Sequence, residues 1–400
     1  MTHSRSFRRL LAALAVSQLG DWLYNVALLA FVFDRTHSAT WLGATTVARV
    51  LPVVLLGPLA GILGDRYDRR VVMVASDLAR VAAMLGLVAV AHDGLPLVLV
   101  PALAAFATAA GSPYPPCVAA SLPRLLSRDE LPAANAARAA IGPLAVIVGP
   151  ALGAVLLAVS GAAWAFGLNA VTFAASALLV LAVPDRAAFR PTGSGEREPG
   201  LWAKVTVGAR ELLRRPVVSR LVGADILCSL SYGVLSVVLV SVSTRLGWHE
   251  SGYGVLLAAI GAGGLLGTTV APRALRRLDR RRVLSLALLI VGVTLPSMAV
   301  LPSPAVVLLA AIASGVGSLV VEVGVETVLQ EQLPDEVFAR AYGFAFPASI
   351  GGIALGALLA APLSALLGVG GALTVIGTLV AGYAAWLYGS RRTVLVPAPS

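Results

Sequence analysis

Lysine is nearly missing from this 400-residue chain: Lys204 stands alone against 29 arginines. It sits in Ala-Lys-Val, whereas a phosphate-binding loop needs Gly-Lys-Ser/Thr, so a nucleotide-hydrolysing motif of that type is excluded. The two cysteines, Cys117 and Cys228, both lie in apolar runs and suggest neither a disulfide framework nor a zinc site. Four histidines (His3, His37, His92, His249) fall at the N-terminus or in short breaks, which argues against a buried imidazole relay, and no His-Glu-x-x-His occurs. With no nucleophile–base pair and no metal constellation, the chain is not expected to be an enzyme or to need a cofactor. Aromatic residues make up 6%, so no large aromatic cage is evident, and charged residues make up only 12%, too few to cover a soluble protein of this length.

What is present is apolar: 58% of residues, arranged in blocks of roughly 20, the length that crosses a bilayer as a helix. Twelve blocks can be marked, at 8–33, 40–64, 71–91, 95–121, 134–160, 163–183, 216–243, 252–272, 283–301, 304–330, 338–366 and 370–389. The expected fold is therefore an all-α membrane protein of twelve transmembrane helices. "FRRLLAALAVSQLGD" could pass for a signal peptide, but the apolar run resumes after Asp21 and reaches Phe33, so it reads as a retained first span. Pro184 to Arg215 forms a long break rich in Gly, Pro and charge. It divides the chain into an N-terminal half (1–183), a cytoplasmic linker (184–215), a C-terminal half (216–390) and a cytoplasmic tail (391–400). Within the linker, "LWAKVTVGARELLRR" could lie as a helix on the membrane surface.

Basic residues orient the chain. With the N-terminus inside, only Arg35 and Arg245 fall in outer loops and only Arg49 and Arg80 within spans, leaving 26 of the 30 Lys and Arg at the cytoplasmic side. Both termini are then cytoplasmic. The net charge of +10 reflects topology and contact with anionic lipid, with no nucleic-acid partner implied. The arginine bias points to a GC-rich bacterial genome, hence to a multi-pass protein of a bacterial inner membrane.

A shift of 211 residues superposes several anchors in order: Arg9-Leu10 on Arg220-Leu221, Gly43 on Gly254, Asp68-Arg69-Arg70 on Asp279-Arg280-Arg281, and Leu122-Pro123 on Leu333-Pro334. Two parallel six-helix halves with a site between them is a transporter plan.

The loop "GILGDRYDRR" resembles the Gly-x-x-x-Asp-Arg-x-Gly-Arg-Lys loop of the major facilitator superfamily, through Gly61, Asp65, Arg66, Arg69 and Arg70, with Asp68 where that pattern has Gly. "SQLGDWLYNVAL", "RVLPVVLLGPLAGILGDRYDRR", "SLPRLLSRDELPAANA" and "LNAVTFAASALL" resemble the drug:proton antiporter branch that includes macrolide-efflux and enterobactin-exporter proteins. "VGPALGA" resembles an antiporter pattern through Gly149, Pro150 and Gly153, with Ala145 and Ala154 replacing two glycines; close helix approach, a local bend or ordinary small-residue packing all fit it.

Asp21 falls at the middle of span one, with Gln18 and Asn25 on the same helix face. A lone carboxylate there costs at least about 2.5–3.5 kcal/mol, so it must face a cavity, gain a partner or hold a proton. Arg49, at similar depth on span two, is the expected partner. Either the two form a permanent ion pair, or Asp21 exchanges a proton under the influence of Arg49. Span ten carries Glu322 and Glu326 at i,i+4, and span seven carries Asp225. The resemblance implies that spans one, four, seven and ten line a central cavity, which makes Asp21, Tyr114, Asp225, Tyr232, Glu322 and Glu326 cavity residues. Glu326 could alternatively be an interfacial cap. Asp77 and Arg80 are expected near the inner end of span three, tied to the Asp65 loop, and Asp65 needs a partner such as Arg69 or a helix N-terminus of the other half. The resemblance implies that this latch is closed in the outward-facing state.

The expectation that follows is a secondary active transporter, an antiporter exporting an amphipathic small molecule and conferring multidrug resistance. A proton gradient would drive it, with Asp21, Arg49 and Glu322 in the coupling. The alternatives are a lipid or lysolipid flippase, an uncoupled facilitator, or a non-transporting sensor. Expected partners are the small-molecule substrate, protons and membrane lipid, and the chain is expected to be a monomer.

Overall fold

The computed structural model describes residues 5–93, 95–190, 201–300 and 303–390; the middle of the expected linker and the expected tail lie outside the described residues. Among the described residues the chain is helical, with no strand. The helices are α1 (Arg5–Thr36), α2 (Ala39–Arg66), α3 (Arg69–Asp93), α4 (Leu99–Gly111), α5 (Tyr114–Leu125), α6 (Leu131–Ala139), α7 (Ile141–Ser160), α8 (Ala162–Leu181), α9 (Leu201–Arg214), α10 (Pro216–Arg245), α11 (His249–Arg277), α12 (Arg280–Val300), α13 (Pro304–Gln332) and α14 (Asp335–Gly389). Among the described residues, nine of these helices are long and apolar enough to cross a membrane. Their surfaces fit that medium, since large apolar side chains such as Leu55, Val71, Leu178, Leu309 and Leu358 lie exposed.

Four expected spans differ from the observed helices, at three places and each for a reason in the backbone. The run expected at 95–121 is split into α4 and α5 where "SPYPP" removes the donors of Pro113, Pro115 and Pro116. The run at 134–160 is split at Ala140, just before Gly142-Pro143. The runs at 338–366 and 370–389 form one 55-residue α14 interrupted at Gly368, whose φ of 69° and ψ of 166° are open to glycine and not to a residue with a Cβ.

The chain divides into two compact units, each of which borrows a segment from across the linker. Unit 1 holds Met1–Arg128, Leu144–Glu211 and Leu333–Pro347. Unit 2 holds Asp129–Pro143, Leu212–Gln332 and Ala348–Ser400. In unit 1 the core joins α1, α3 and α8 through Tyr24, Phe31, Met84, Leu87, Phe166 and Phe173. The Phe166 ring meets Tyr24 and Phe31 edge-on, with centroids 6.3 and 6.0 Å apart. In unit 2, α13 packs against α6, α10, α11 and α12. The result for function is that each unit surrounds its own cluster of charged side chains.

Candidate functional site

The first cluster lies in unit 1. Asp21 is on α1 with a side chain 39% exposed. Its ion-pair partner is Arg80 of α3, NH1 to Oδ2 at 3.7 Å, and not Arg49. Arg49 donates to Asn25 Oδ1, one turn along α1, and its guanidinium lies 5.1 Å from the Tyr24 ring centroid. The reason is depth: Arg49 stands a few residues above the middle of its span, and that rise carries it past Asp21 to the next turn. The expected placement of Arg80 also needs correction. α3 runs from residue 69 to 93, so Arg80 is at its middle, facing α1, and not at its inner end with the Asp65 loop.

Arg80 is held from four sides. Its NH2 pairs with Asp77, its NH1 donates to Ser17 Oγ at 3.2 Å, and its guanidinium carbon lies 4.2 Å from the Phe173 ring centroid and 5.2 Å from that of Tyr114. Tyr114 in turn shares a 3.1 Å hydrogen bond with Ser176. Asp77 is completely buried, so this aspartate is the fixed counter-charge and Asp21 the accessible one. Gln18 lies half-buried on α1, one turn before Asp21.

Gly149 and Gly153 of α7 back this arrangement from behind α1. A Cβ on Gly153 would stand 2.7 Å from the Leu23 carbonyl oxygen, and one on Gly149 would meet the Trp22 side chain. The two glycines therefore let α7 approach the turn that carries Asp21, as close helix contact requires. The side chain of Pro150 lies outside the described residues.

The second constellation of unit 1 surrounds Asp65. Its Oδ1 accepts the Ala339 N–H at 3.0 Å, and its Oδ2 accepts the Arg340 N–H at 3.0 Å and the Arg340 Nε–H at 2.8 Å. Of the two partners expected for Asp65, it is the start of a helix beyond the linker, α14, that meets it, together with the Arg340 side chain, and not Arg69. Gly61 makes room: a Cβ there would collide with the backbone of Ala339 and Arg340. Arg69, fully buried, spans Gly64 O, Ala120 O and Asp335 Oδ1 at 3.1, 2.8 and 2.8 Å. Arg124 reaches the other oxygen of Asp335 at 3.2 Å. The Arg70 N–H is capped by Asp68 Oδ1 at 2.9 Å, which explains an aspartate where the resembling pattern has glycine. Arg66 stacks on Tyr67, with its guanidinium carbon 5.5 Å from the ring centroid.

The third cluster is in unit 2. Glu326 of α13 pairs with Arg138 of α6. On the same helix, Asn135 donates to Thr327 Oγ1 at 3.0 Å and to Gln330 Oε1 at 2.7 Å. Glu326 is buried and six residues short of the end of α13; its partner is a side chain, which replaces the capping role entertained for it. Asp225 of α10 accepts from Ser349 Oγ, and both Asp225 and Glu322 lie in the field of Arg138. Glu322 is exposed one turn before Glu326. Tyr232 lies two turns beyond Asp225 on α10, 37% exposed.

Sequence reasoning missed Arg138, Asn135, Arg340 and Asp335. The signals were faint: Asn135 and Arg138 share a face at i,i+3 in "LPAANAAR", and Asp335 and Arg340 open a helix after a Leu-Pro that the 211-residue repeat had already marked.

A family model described as a transmembrane secretion effector matches residues 2–393. The multidrug efflux pump Tap of Mycobacterium tuberculosis is 27% identical over 368 residues, covering 89% of this chain and 86% of that protein. The staphyloferrin A transporter of Staphylococcus aureus is 25% identical over 285 residues, 69% of each chain. An MFS-type transporter of Bacillus subtilis is 27% identical over 217 residues, so there the match spans about half of that protein, 51%. Among solved structures, a bacterial homologue of the iron transporter ferroportin in an outward-facing state aligns with a TM-score of 0.75 at 16% identity, over 96% of this chain and 98% of that one. The human organic anion transporter MFSD10 aligns with a TM-score of 0.79 at 17% identity, over 96% and 100%. At these identities the structures establish a shared fold.

Proposed function

Because the chain belongs to the transmembrane secretion effector family of the major facilitator superfamily, we propose that it is a proton-coupled exporter of amphipathic small molecules working by alternating access. That it is a membrane transporter and not an enzyme follows from the family. The direction, the coupling and the cargo are our reading, supported by the similarity to Tap, a multidrug efflux pump, along most of both chains.

The observation that carries the coupling is the sharing of Arg80 between Asp77 and Asp21. One guanidinium stands between two carboxylates, one sealed and one accessible. Asp77 keeps Arg80 neutralised in either state, so Asp21 is free to exchange a proton without stranding a buried cation. Energetically one such group suffices: one pH unit and 100 mV give about 3.7 kcal/mol per proton, which sustains roughly a 500-fold gradient of a neutral cargo at one proton each.

In this reading the chain crosses the membrane twelve times, with α4 and α5 forming one pass, α6 and α7 another, and α14 two, divided at Gly368. Residues 1–183 and 216–390 are the two halves, 184–215 the linker, and both termini face the cytoplasm of a bacterial inner membrane. Asp65 and its partners on α14 form the conformational latch, and no partner beyond cargo, protons and lipid is invoked.

The experiment is transport in inside-out vesicles bearing the wild type or Asp21→Asn. An imposed pH gradient should drive uptake of a fluorescent amphiphile in the wild type and fail to do so in the variant. Wild-type uptake that is indifferent to an uncoupler would replace this reading with an uncoupled facilitator or lipid flippase; uptake by Asp21→Asn at the wild-type rate would remove Asp21 from the coupling.

A further inference from the structure

We propose that the acidic cluster of unit 2 binds one cationic group at a time, and that Arg138 is its built-in occupant, displaced by a cationic group of the cargo or by a proton. This deepens the efflux reading and rests on it only for the direction of transport.

The elements packed against α13 are α6, α10, α11 and α12. α6 brings Arg138; α10 brings Asp225, with Arg220 in its second turn and Arg245 at its end; α13 itself carries Glu322 and Glu326, with Glu331 in its last turn. The described charges of α11 are Arg273, Arg276 and Arg277 in its last two turns. Those of α12 are Arg280, Arg281 and Arg282 at its start, where Arg280 pairs with Glu331. Ser349 of α14 bonds Asp225, and Cys228 of α10, a neutral thiol, contacts Ser318 at 3.3 Å. Away from the helix ends, three carboxylates, the buried Glu326, the exposed Glu322 and Asp225, therefore lie around one arginine, Arg138. The unit 1 cluster is different: Asp21 and Asp77 are set against Arg80 and Arg49, two charges of each sign.

Three carboxylates around one guanidinium do not all remain ionised in a medium of low dielectric without another positive charge. The second observation locates where that charge goes. Glu326 is only 4% exposed, and its Oε2 pairs with Arg138 while its Oε1 is buried without a hydrogen-bond partner. Arg138 Nε is likewise buried and unpartnered. A guanidinium in its best geometry gives two parallel bonds to a carboxylate; this pair forms one contact and leaves a free acceptor beside it. Glu322, one turn away and exposed, gives that acceptor an approach from the surface.

Arg138 differs from the other members of the cluster in how it is carried. It lies on the nine-residue α6, followed within five residues by Gly142-Pro143, where the chain passes from unit 2 to unit 1. Asp225, Glu322 and Glu326 lie on long helices of unit 2. A cation on a short, separately tethered segment is suited to enter and leave the cluster, and a cargo cation is what takes its place.

The test is equilibrium binding of tetraphenylphosphonium, a permanent cation with no exchangeable proton, to the purified full chain in nanodiscs. Arg138→Met should tighten binding by roughly tenfold, because the internal competitor is gone, and Arg138→Lys should tighten it by less. Glu326→Gln and Glu322→Gln should each weaken it by roughly tenfold. The proton arm repeats the wild-type titration at pH 6 and pH 8: affinity should fall at the lower pH, and the fall should vanish in the Glu322→Gln/Glu326→Gln double variant. Weaker or unchanged binding in Arg138→Met overturns the proposal, as does wild-type affinity in Glu326→Gln. If Arg138→Met does not fold, Glu326→Gln and the pH comparison decide alone. No gradient is used, so a chain that passes here but extrudes nothing from cells disproves the efflux reading and not this one.

Discussion

Arg80 of α3 stands 3.7 Å from Asp21 of α1 while paired with Asp77, four-fifths of a turn back on its own helix. The two carboxylates are unequal partners: Asp77 is sealed and Asp21 is 39% exposed. The exposed member should therefore matter less for folding than the arginine does.

The first prediction separates those roles. Arg80→Ala removes the one ion-pair partner that Asp77 has among the described residues and empties the space between Phe173 and Tyr114. Breaking a buried pair by deleting one member costs about 3–5 kcal/mol, so thermal unfolding followed by tryptophan fluorescence should show a severe loss of stability. Asp21→Asn should unfold close to the wild-type temperature and lose gradient-driven transport. Equal destabilisation by the two variants would show Asp21 to be a structural residue.

The second prediction concerns Asp65 and Arg340. Their contact is one charged side-chain bond plus two backbone N–H bonds received by the same carboxylate. Hydrogen bonds to charged groups contribute about 1.5–3 kcal/mol, so a double-mutant cycle with Asp65→Ala and Arg340→Ala should give a coupling of that order. The charge swap Asp65→Arg/Arg340→Asp should not rescue, because a guanidinium at position 65 has nothing with which to accept the N–H groups of Ala339 and residue 340. Rescue by the swap would mean that charge alone holds the contact.

The third prediction uses glycines as probes of helix approach. Gly153→Ala places a methyl 2.7 Å from the Leu23 carbonyl oxygen, whereas a methyl at Gly167 of α8 meets nothing within 4 Å. Alanine is the better helix former by about 1 kcal/mol, so Gly167→Ala should be neutral or stabilising. Gly153→Ala should lower both stability and transport by pushing α7 off the turn that carries Asp21. Similar behaviour of the two would remove close α1–α7 approach as the reason for Gly153.

Much of this architecture was legible in the sequence because the bilayer imposes a simple rule on span length and backbone satisfaction. The apolar blocks fall on helices, and the breaks the reading missed, at Pro113 and Gly142-Pro143, are places where hydropathy stays high while the backbone loses donors. Asp21, Asp65, Glu322 and Glu326 stood out as charges out of place. Of their partners, only the helix start that meets Asp65 was among those expected. Depth along a helix can be counted from sequence, but which neighbour faces which depends on rotation and packing. So Asp21 meets Arg80 and not Arg49. Arg138, counted as one more cytoplasmic arginine, sits on Glu326 because α6 packs on α13 across nearly two hundred residues of chain.

The last prediction comes from the repeat itself. Asp68 and Asp279 are 211 residues apart, and each caps the helix that follows: Asp68 Oδ1 accepts the Arg70 N–H at 2.9 Å, and Asp279 Oδ1 accepts the Arg282 N–H at 2.9 Å. Replacing a capping aspartate by alanine typically costs about 1 kcal/mol, and by glycine only a few tenths. Asp68→Gly, which recreates the glycine of the resembling loop, should therefore be nearly silent in thermal unfolding, while Asp68→Ala should be visibly destabilised. Because the two caps belong to different units and share no partner, Asp68→Ala and Asp279→Ala should be additive to within about 0.5 kcal/mol. A large loss from Asp68→Gly would mean that the carboxylate acts through its charge beside Arg69 and Arg70 and not as a cap. In that case the departure from the glycine pattern would belong to the latch and not to the start of α3.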